Sequence, residues 1–168
     1  MYLNDGFREL DRPESLRLLG TAAIGRIVHT RQALPAVLPV NFCLDDDGAV
    51  VLRTSAASEL ARAVDGTVVA FEADEVDRAA RSGWSVLLTG AAEVVTDPAE
   101  HRRLAERGPR SWVAVPPRQE VFIRILPELV TGRKVVGDRA PHDAEIGARP
   151  APAGTGGPPP VPRSPAPA

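Results

Sequence analysis

The chain has 168 residues, 22 acidic against 20 basic side chains, and a formal charge of -2. That length suits one domain with a real core rather than two ordinary ones, and the near-neutral balance argues against a general nucleic-acid binder, which needs a basic face. A single cysteine, Cys43, excludes an internal disulfide, and no apolar run approaches the roughly 20 residues of a membrane-spanning helix.

The opening, "MYLNDGFREL", lacks the basic and apolar regions of a signal peptide, so a soluble cytoplasmic protein is expected. "PESLRLLG" predicts a short helix with Pro13 in its first turn and Gly20 at its end. "IGRIVHT" predicts a first strand, and its terminal His29 is expected to face solvent without a catalytic role. "AVLPVNFCLDDDGAVVLRT" predicts a hairpin, two apolar runs joined by an aspartate-rich turn that ends in Gly48. Cys43 lies in the first of those runs and is expected to be a buried structural thiol.

"ASELARAV" predicts a short helix with Leu60, Ala61 and Val64 on one face. "TVVAFEAD" predicts a strand, and the carboxylates of "EADEVD" (Glu72 to Asp77) are expected in a solvated loop leaving it. "WSVLLTGAAEVV" predicts a long strand bent or bulged at Gly90. In "DPAEHRRLAERG" Asp97 caps a helix, Pro98 opens it and Gly108 stops it. "QEVFIRILPELVTGRKV" alternates in a way that predicts one strand with a buried face.

Beyond Gly137 the composition changes. Residues 138–168 hold nine of the seventeen prolines and no aromatic side chain. A segment of this kind cannot bury enough apolar surface to offset its chain entropy, so the folded domain is expected over 1–137 and a disordered tail over 138–168. Six strands with short helices between them favour an antiparallel barrel, and no glycine-rich GxGxxG turn marks a Rossmann fold. His29, His101, His142 and Cys43 show no metal-ligand spacing, so no metal site is expected.

"VVLRTSAASELARAV" (Val50 to Val64) runs from a strand through a hydroxyl-rich turn into a helix. Two readings stay open for this order. Arg53, Thr54 and Ser55 form a phosphate cradle, or Thr54 or Ser55 is simply the helix N-cap.

The ordered motifs "GRIVHT", "LPVNF", "LRTSAASEL", "FEAD", "GWSVLLTG" and "FIRILPELVTGRKV" resemble those of the pyridoxamine 5′-phosphate oxidase-like family, over about residues 8–135. The resemblance implies a six-stranded antiparallel split barrel, a homodimer, and FMN at the dimer interface. It implies that Pro39, Val40, Asn41 and Phe42 lie along the flavin ring, that Arg53, Thr54, Ser55 and Ser58 take the phosphate, and that Trp84 and Ser85 reach the ring or its tail.

Many relatives carry a cation directly after the serine of the helix start, where this chain has Glu59. A carboxylate beside a phosphate is repulsive, so Arg53 or Arg62 is expected to supply the missing charge. Asn41 reads as a flavin contact or as the partner of a neighbouring loop, and Trp84 as a core anchor or a flavin contact. No side chain is marked as a catalytic acid or base. The implied activity is a flavin-dependent oxidoreductase of unknown small-molecule substrate. The alternatives are a deazaflavin-dependent or nitroaromatic reductase, and a split barrel that has lost its cofactor and serves as an interaction module.

Overall fold

The computed structural model describes residues 7–110, 112 and 116–135; the expected tail lies outside them. The elements run β1 (Arg8–Leu10), α1 (Arg12–Leu19), β2 (Ile24–Arg31), β3 (Leu34–Leu44), β4 (Val50–Ser55), α2 (Glu59–Val64), β5 (Thr67–Asp77), β6 (Ser82–Val94), α3 (Pro98–Arg107), β7 (Glu120–Ile125) and β8 (Leu129–Val135). A 3-10 turn, Pro117–Gln119, leads into β7.

All strand pairings are antiparallel. Six strands close a barrel in the order β6, β5, β2, β3, β4, β7, because β7 returns to pair with the end of β6. The closing ladder is short: Ala92, Glu93 and Val94 face Ile125, Arg124 and Ile123. The earlier part of β6, from Gly83 to Thr89, pairs instead with β8, which carries β1 on its outer edge. Over the described residues the protein is therefore mainly β, a closed six-stranded barrel with two added strands and three short helices.

The added strands correct one expectation. "QEVFIRILPELVTGRKV" is two strands, β7 and β8, separated by a corner at Leu126–Glu128. The corner sits where β6 exchanges one partner for the other: the amides of Leu126 and Glu128 donate to the carbonyls of Ala91 and Thr89. Gly90 lies between those two residues, and a Cβ there would overlap the carbonyl oxygen of Leu126. The bend expected at Gly90 is thus a point of backbone crossing, where only glycine fits. A second correction concerns "EADEVD", which stays inside β5 and pairs with β6 as far as Asp77↔Ser82.

Alternation fills the barrel. Ile27, Val50, Leu52, Phe71, Val86, Leu88, Ile123 and Ile125 are all buried in one cluster, closed by Leu19 of α1 and Val64 of α2. Phe42 meets Phe71 edge-on, with ring centroids 4.8 Å apart. A side chain of this size contributes about 1.5–3 kcal/mol when fully buried. A smaller cluster, Val51, Phe122 and Leu104, lies on the opposite face of β4 and β7, under α3. His29 corrects a third expectation. It is buried, 6% exposed, because it follows Gly25 and Ile27 on the inward face of β2.

The helix caps follow local chemistry. Asp11 and Asp97 accept from the amides of Glu14 and Glu100, which satisfies donors that the first turn would otherwise leave open. Gly20 and Gly108 end α1 and α3 by donating to the carbonyls of Leu16 and Leu104.

Candidate functional site

β3 and β4 pair only beside their turn, through Phe42↔Leu52, Cys43↔Val51 and Leu44↔Val50. Further along, Pro39, Val40 and Asn41 stay with β2, while Arg53, Thr54 and Ser55 stay with β7. The two strands therefore part. The split has the backbone of residues 39–41 on one side and that of residues 53–55 on the other. A strand edge released from its ladder presents N–H and C=O groups to whatever enters.

Alternation divides these side chains between two faces. Val40 and Phe42 turn toward the barrel core, and Phe42 is 7% exposed. Pro39 and Asn41 turn outward. On β4, Leu52 and Thr54 take the barrel side, while Val51, Arg53 and Ser55 take the side covered by α3. Residues implied to act together thus reach the split in different ways, some by side chain and some by backbone alone.

Asn41 is engaged on both ends of its amide. Its Nδ2 donates to the carbonyl of Ala23 at 3.4 Å, and its Oδ1 accepts from the backbone N–H of Trp112 at 3.2 Å. The loop-partner reading of this residue is the one the geometry supports. A polar amide in an apolar strand needs such partners.

At the turn after β4, Ser58 is the N-cap of α2, its Oγ accepting from the amide of Ala61 at 3.0 Å. This replaces Thr54 and Ser55 in the capping reading. Ser55 Oγ instead accepts from the amide of Ala57 at 3.2 Å and tightens the turn. Glu59 forms an ion pair with Arg31 at the end of β2. Arg53 forms an ion pair with Glu120 of β7, whose side chain is only 5% exposed. Glu120 lies opposite Ser55 in the ladder and escaped the sequence reading, since β4 and β7 are far apart in the chain.

Trp84 and Ser85 sit elsewhere, at the start of β6. Trp84 is 8% exposed and packs in the core, and its indole N–H donates to Glu75 at 3.3 Å. A cavity of about 660 Å³ opens here, lined by Trp84, Ser85, Glu72, Asp74, Arg81 and Arg133 among others. Arg26 of β2 reaches the two carboxylates on its rim, at 2.9 Å from Glu72 and 2.5 Å from Asp74. The hydrogen bond with Asp74, followed by that with Glu72, pushes the Arg26 guanidinium above its ordinary value. No residue of the split lines this cavity, so the expected residues fall into two places on the chain. Cys43 is half-buried, and burial followed by the Asp45 charge raises its thiol, which keeps it protonated and unreactive.

A six-stranded antiparallel barrel opened between two neighbouring strands is the split-barrel fold. The sequence profile described as pyridoxamine 5′-phosphate oxidase matches residues 11–134, and the chain belongs to that family. An uncharacterized protein of Mycobacterium tuberculosis is 44% identical over 135 residues, which cover 77% of this chain and 86% of that one. The structure of a FAD binding protein from Mycobacterium smegmatis superposes with a TM-score of 0.65 at 31% identity, covering 76% of this chain and 98% of that one. A conserved protein of unknown function from Corynebacterium diphtheriae gives a TM-score of 0.65 at 35% identity, covering 79% and 100%. Among the described residues, no helix is long and apolar enough to cross a membrane.

Proposed function

We propose that the protein is a homodimeric, flavin-dependent oxidoreductase that binds a flavin nucleotide at the interface of two copies. The observation that carries this reading is the β3–β4 split, with released strand edges on both sides, in a chain 31% identical to a FAD binding protein. The flavin would supply two-electron redox chemistry, and the chain supplies position and electrostatics. Backbone groups of Pro39, Val40, Asn41 and Phe42 hold the ring edge. Arg53, Ser55 and Ser58 offer one guanidinium and two hydroxyls to the phosphate end, with Thr54 contributing its backbone. Trp84 and Ser85 enter from the cavity.

The two-place layout supports the dimer. The outer sheet face carries Val37 (55% exposed), Val68 (65%), Leu87 (43%) and Leu129 (61%), with Val28 and Ala70 between them. An apolar face of this extent suits a second copy packed on it, which brings one protomer's cavity toward its partner's split.

One set of observations favours a second reading, the cofactor-free interaction module. Asn41 has spent both amide groups internally, and Arg53 and Arg31 already hold carboxylates. The experiment that decides is light scattering combined with fluorescence titration against FMN, FAD and a deazaflavin. A dimer that binds one flavin per protomer supports the oxidoreductase reading. Deazaflavin binding alone moves the cofactor class. A protein that takes none of the three is the interaction module.

A further inference from the structure

The phosphate end of the split is already charge-balanced. Arg53 projects on the same face of β4 as Ser55, and Glu120 stands directly opposite Ser55 on β7. The Arg53 guanidinium and the Glu120 carboxylate form an ion pair in which Glu120 is nearly sealed from water. Arg53 Nε is itself buried without a hydrogen-bond partner. Arg31, at the end of β2, is held by Glu59. A phosphate arriving at Ser55 and Ser58 therefore meets a cation whose charge an internal carboxylate offsets.

That balance weighs differently on different ligands. A phosphate monoester carries about -1.5 to -2 at neutral pH, because its second ionisation lies near 6. In the pyrophosphate bridge of a dinucleotide a comparable total charge is spread over two phosphates, so the group at the turn carries about -1. Held beside the Glu120 carboxylate in a partly buried site, the monoester meets the stronger repulsion. The Arg53 guanidinium, already offset, repays little of the loss of its water, and Arg62 of α2, which holds no carboxylate among the described residues, lies exposed to solvent.

We propose that Glu120 is a built-in counter-ion of Arg53 that sets the cofactor class of the split, admitting a flavin dinucleotide in preference to a flavin mononucleotide. This rests on the flavin reading above. It assigns a specificity role to a residue that touches the ligand only through Arg53, so Glu120 is a positioning residue.

The test compares riboflavin, FMN and FAD on the purified protein by fluorescence titration, which isolates what each phosphate adds. In the wild-type protein, FAD is expected to bind about tenfold or more tightly than FMN, and FMN within about threefold of riboflavin. Glu120→Gln frees the guanidinium for a charge-assisted phosphate contact, and the gain of FMN over riboflavin is expected to rise about tenfold. The double variant Arg53→Gln with Glu120→Gln removes both charges and is expected to return to the wild-type ratio, which a merely structural role would not produce. Wild-type protein that binds FMN more tightly than FAD overturns the inference, and this holds even if Glu120→Gln does not fold. A folded Glu120→Gln protein with an unchanged ratio of FMN to riboflavin affinity also overturns it. So does a strong wild-type preference for FMN over riboflavin that vanishes in Arg62→Ala, since the phosphate would then be held by α2. If riboflavin, FMN and FAD all fail to bind, the flavin reading falls and the counter-ion inference falls with it.

Discussion

The β3–β4 pair has two unlike ends. At the hairpin end the strands are laddered and the turn is clamped from outside. Arg103 of α3 grips Asp45 through two hydrogen bonds of 2.7 Å, and Arg124 of β7 reaches Asp47 at 2.6 Å, Asp45 at 3.1 Å and Glu100 at 3.1 Å. At the other end the same strands part, and each turns its polar edge to the split. Both ends carry arginine–carboxylate pairs, so ion pairing alone does not separate a scaffold from a site. What separates them is the backbone: a closed ladder with a shared charge network fixes one end, while the released edges of the other can receive a ligand.

That contrast can be broken at several points. The largest effect is expected where the barrel changes partners. Gly90→Val forces a side chain into the Leu126 carbonyl and should cost about 3 kcal/mol or more, read as a lowered urea midpoint or as failure to fold. Arg53→Ala comes next, because it leaves the buried Glu120 carboxylate uncompensated. A loss of about 3 kcal/mol is expected, largely recovered when Glu120→Gln is added, and equilibrium unfolding of both variants checks it.

Asp45→Asn should cost less, about 1–2 kcal/mol, since Arg103 retains access to water and keeps Glu100 nearby. It acts on the clamped end only, so flavin affinity should be unchanged. A variant equally stable but unable to bind flavin would make the clamp part of the site. The same residue gives an acid-side prediction. Hydrogen bonds from Arg103, against the opposing effect of burial, hold the Asp45 carboxyl at about 2, below its ordinary 3.8. A carboxyl depressed in the folded state stabilises above its unfolded value, and that share is lost as the folded value is approached. About 1 kcal/mol should therefore disappear between pH 4 and pH 2, and Asp45→Asn should lack this portion of the acid curve. The smallest effect belongs to Ser58→Ala, which removes the N-cap of a short helix and should cost about 1 kcal/mol in thermal or urea unfolding.

Local features of the fold were legible in the chain. The aspartate–proline start and glycine end of α3, the aspartate-rich turn closed by Gly48, the apolar run of β4, and the apolar alternation of β2 and β6 lie within a few residues of one another, where capping and side-chain period act. The hairpin between β2 and β3 was not announced. Gln32 and Ala33 both adopt positive φ, 49° and 63°, without the glycine or asparagine such a turn usually carries. The Arg31↔Leu34 register imposes that conformation from the long ladder behind it.

The family, the barrel and the candidate strands followed from motifs in order along the chain, because each motif records a local requirement such as a turn, a bend or a buried face. Which of those residues share a place is a different matter. Glu120 reaches Arg53, Trp112 reaches Asn41, and Arg26 reaches Glu72 and Asp74 only after strands distant in sequence have paired. The sequence by itself therefore determined the family and the barrel, and the register of the ladders decided where β3 and β4 part. Only the tertiary structure decided that the charges at that opening are already answered from within, because pairing across a sheet depends on the register of the whole barrel and on no single stretch of chain.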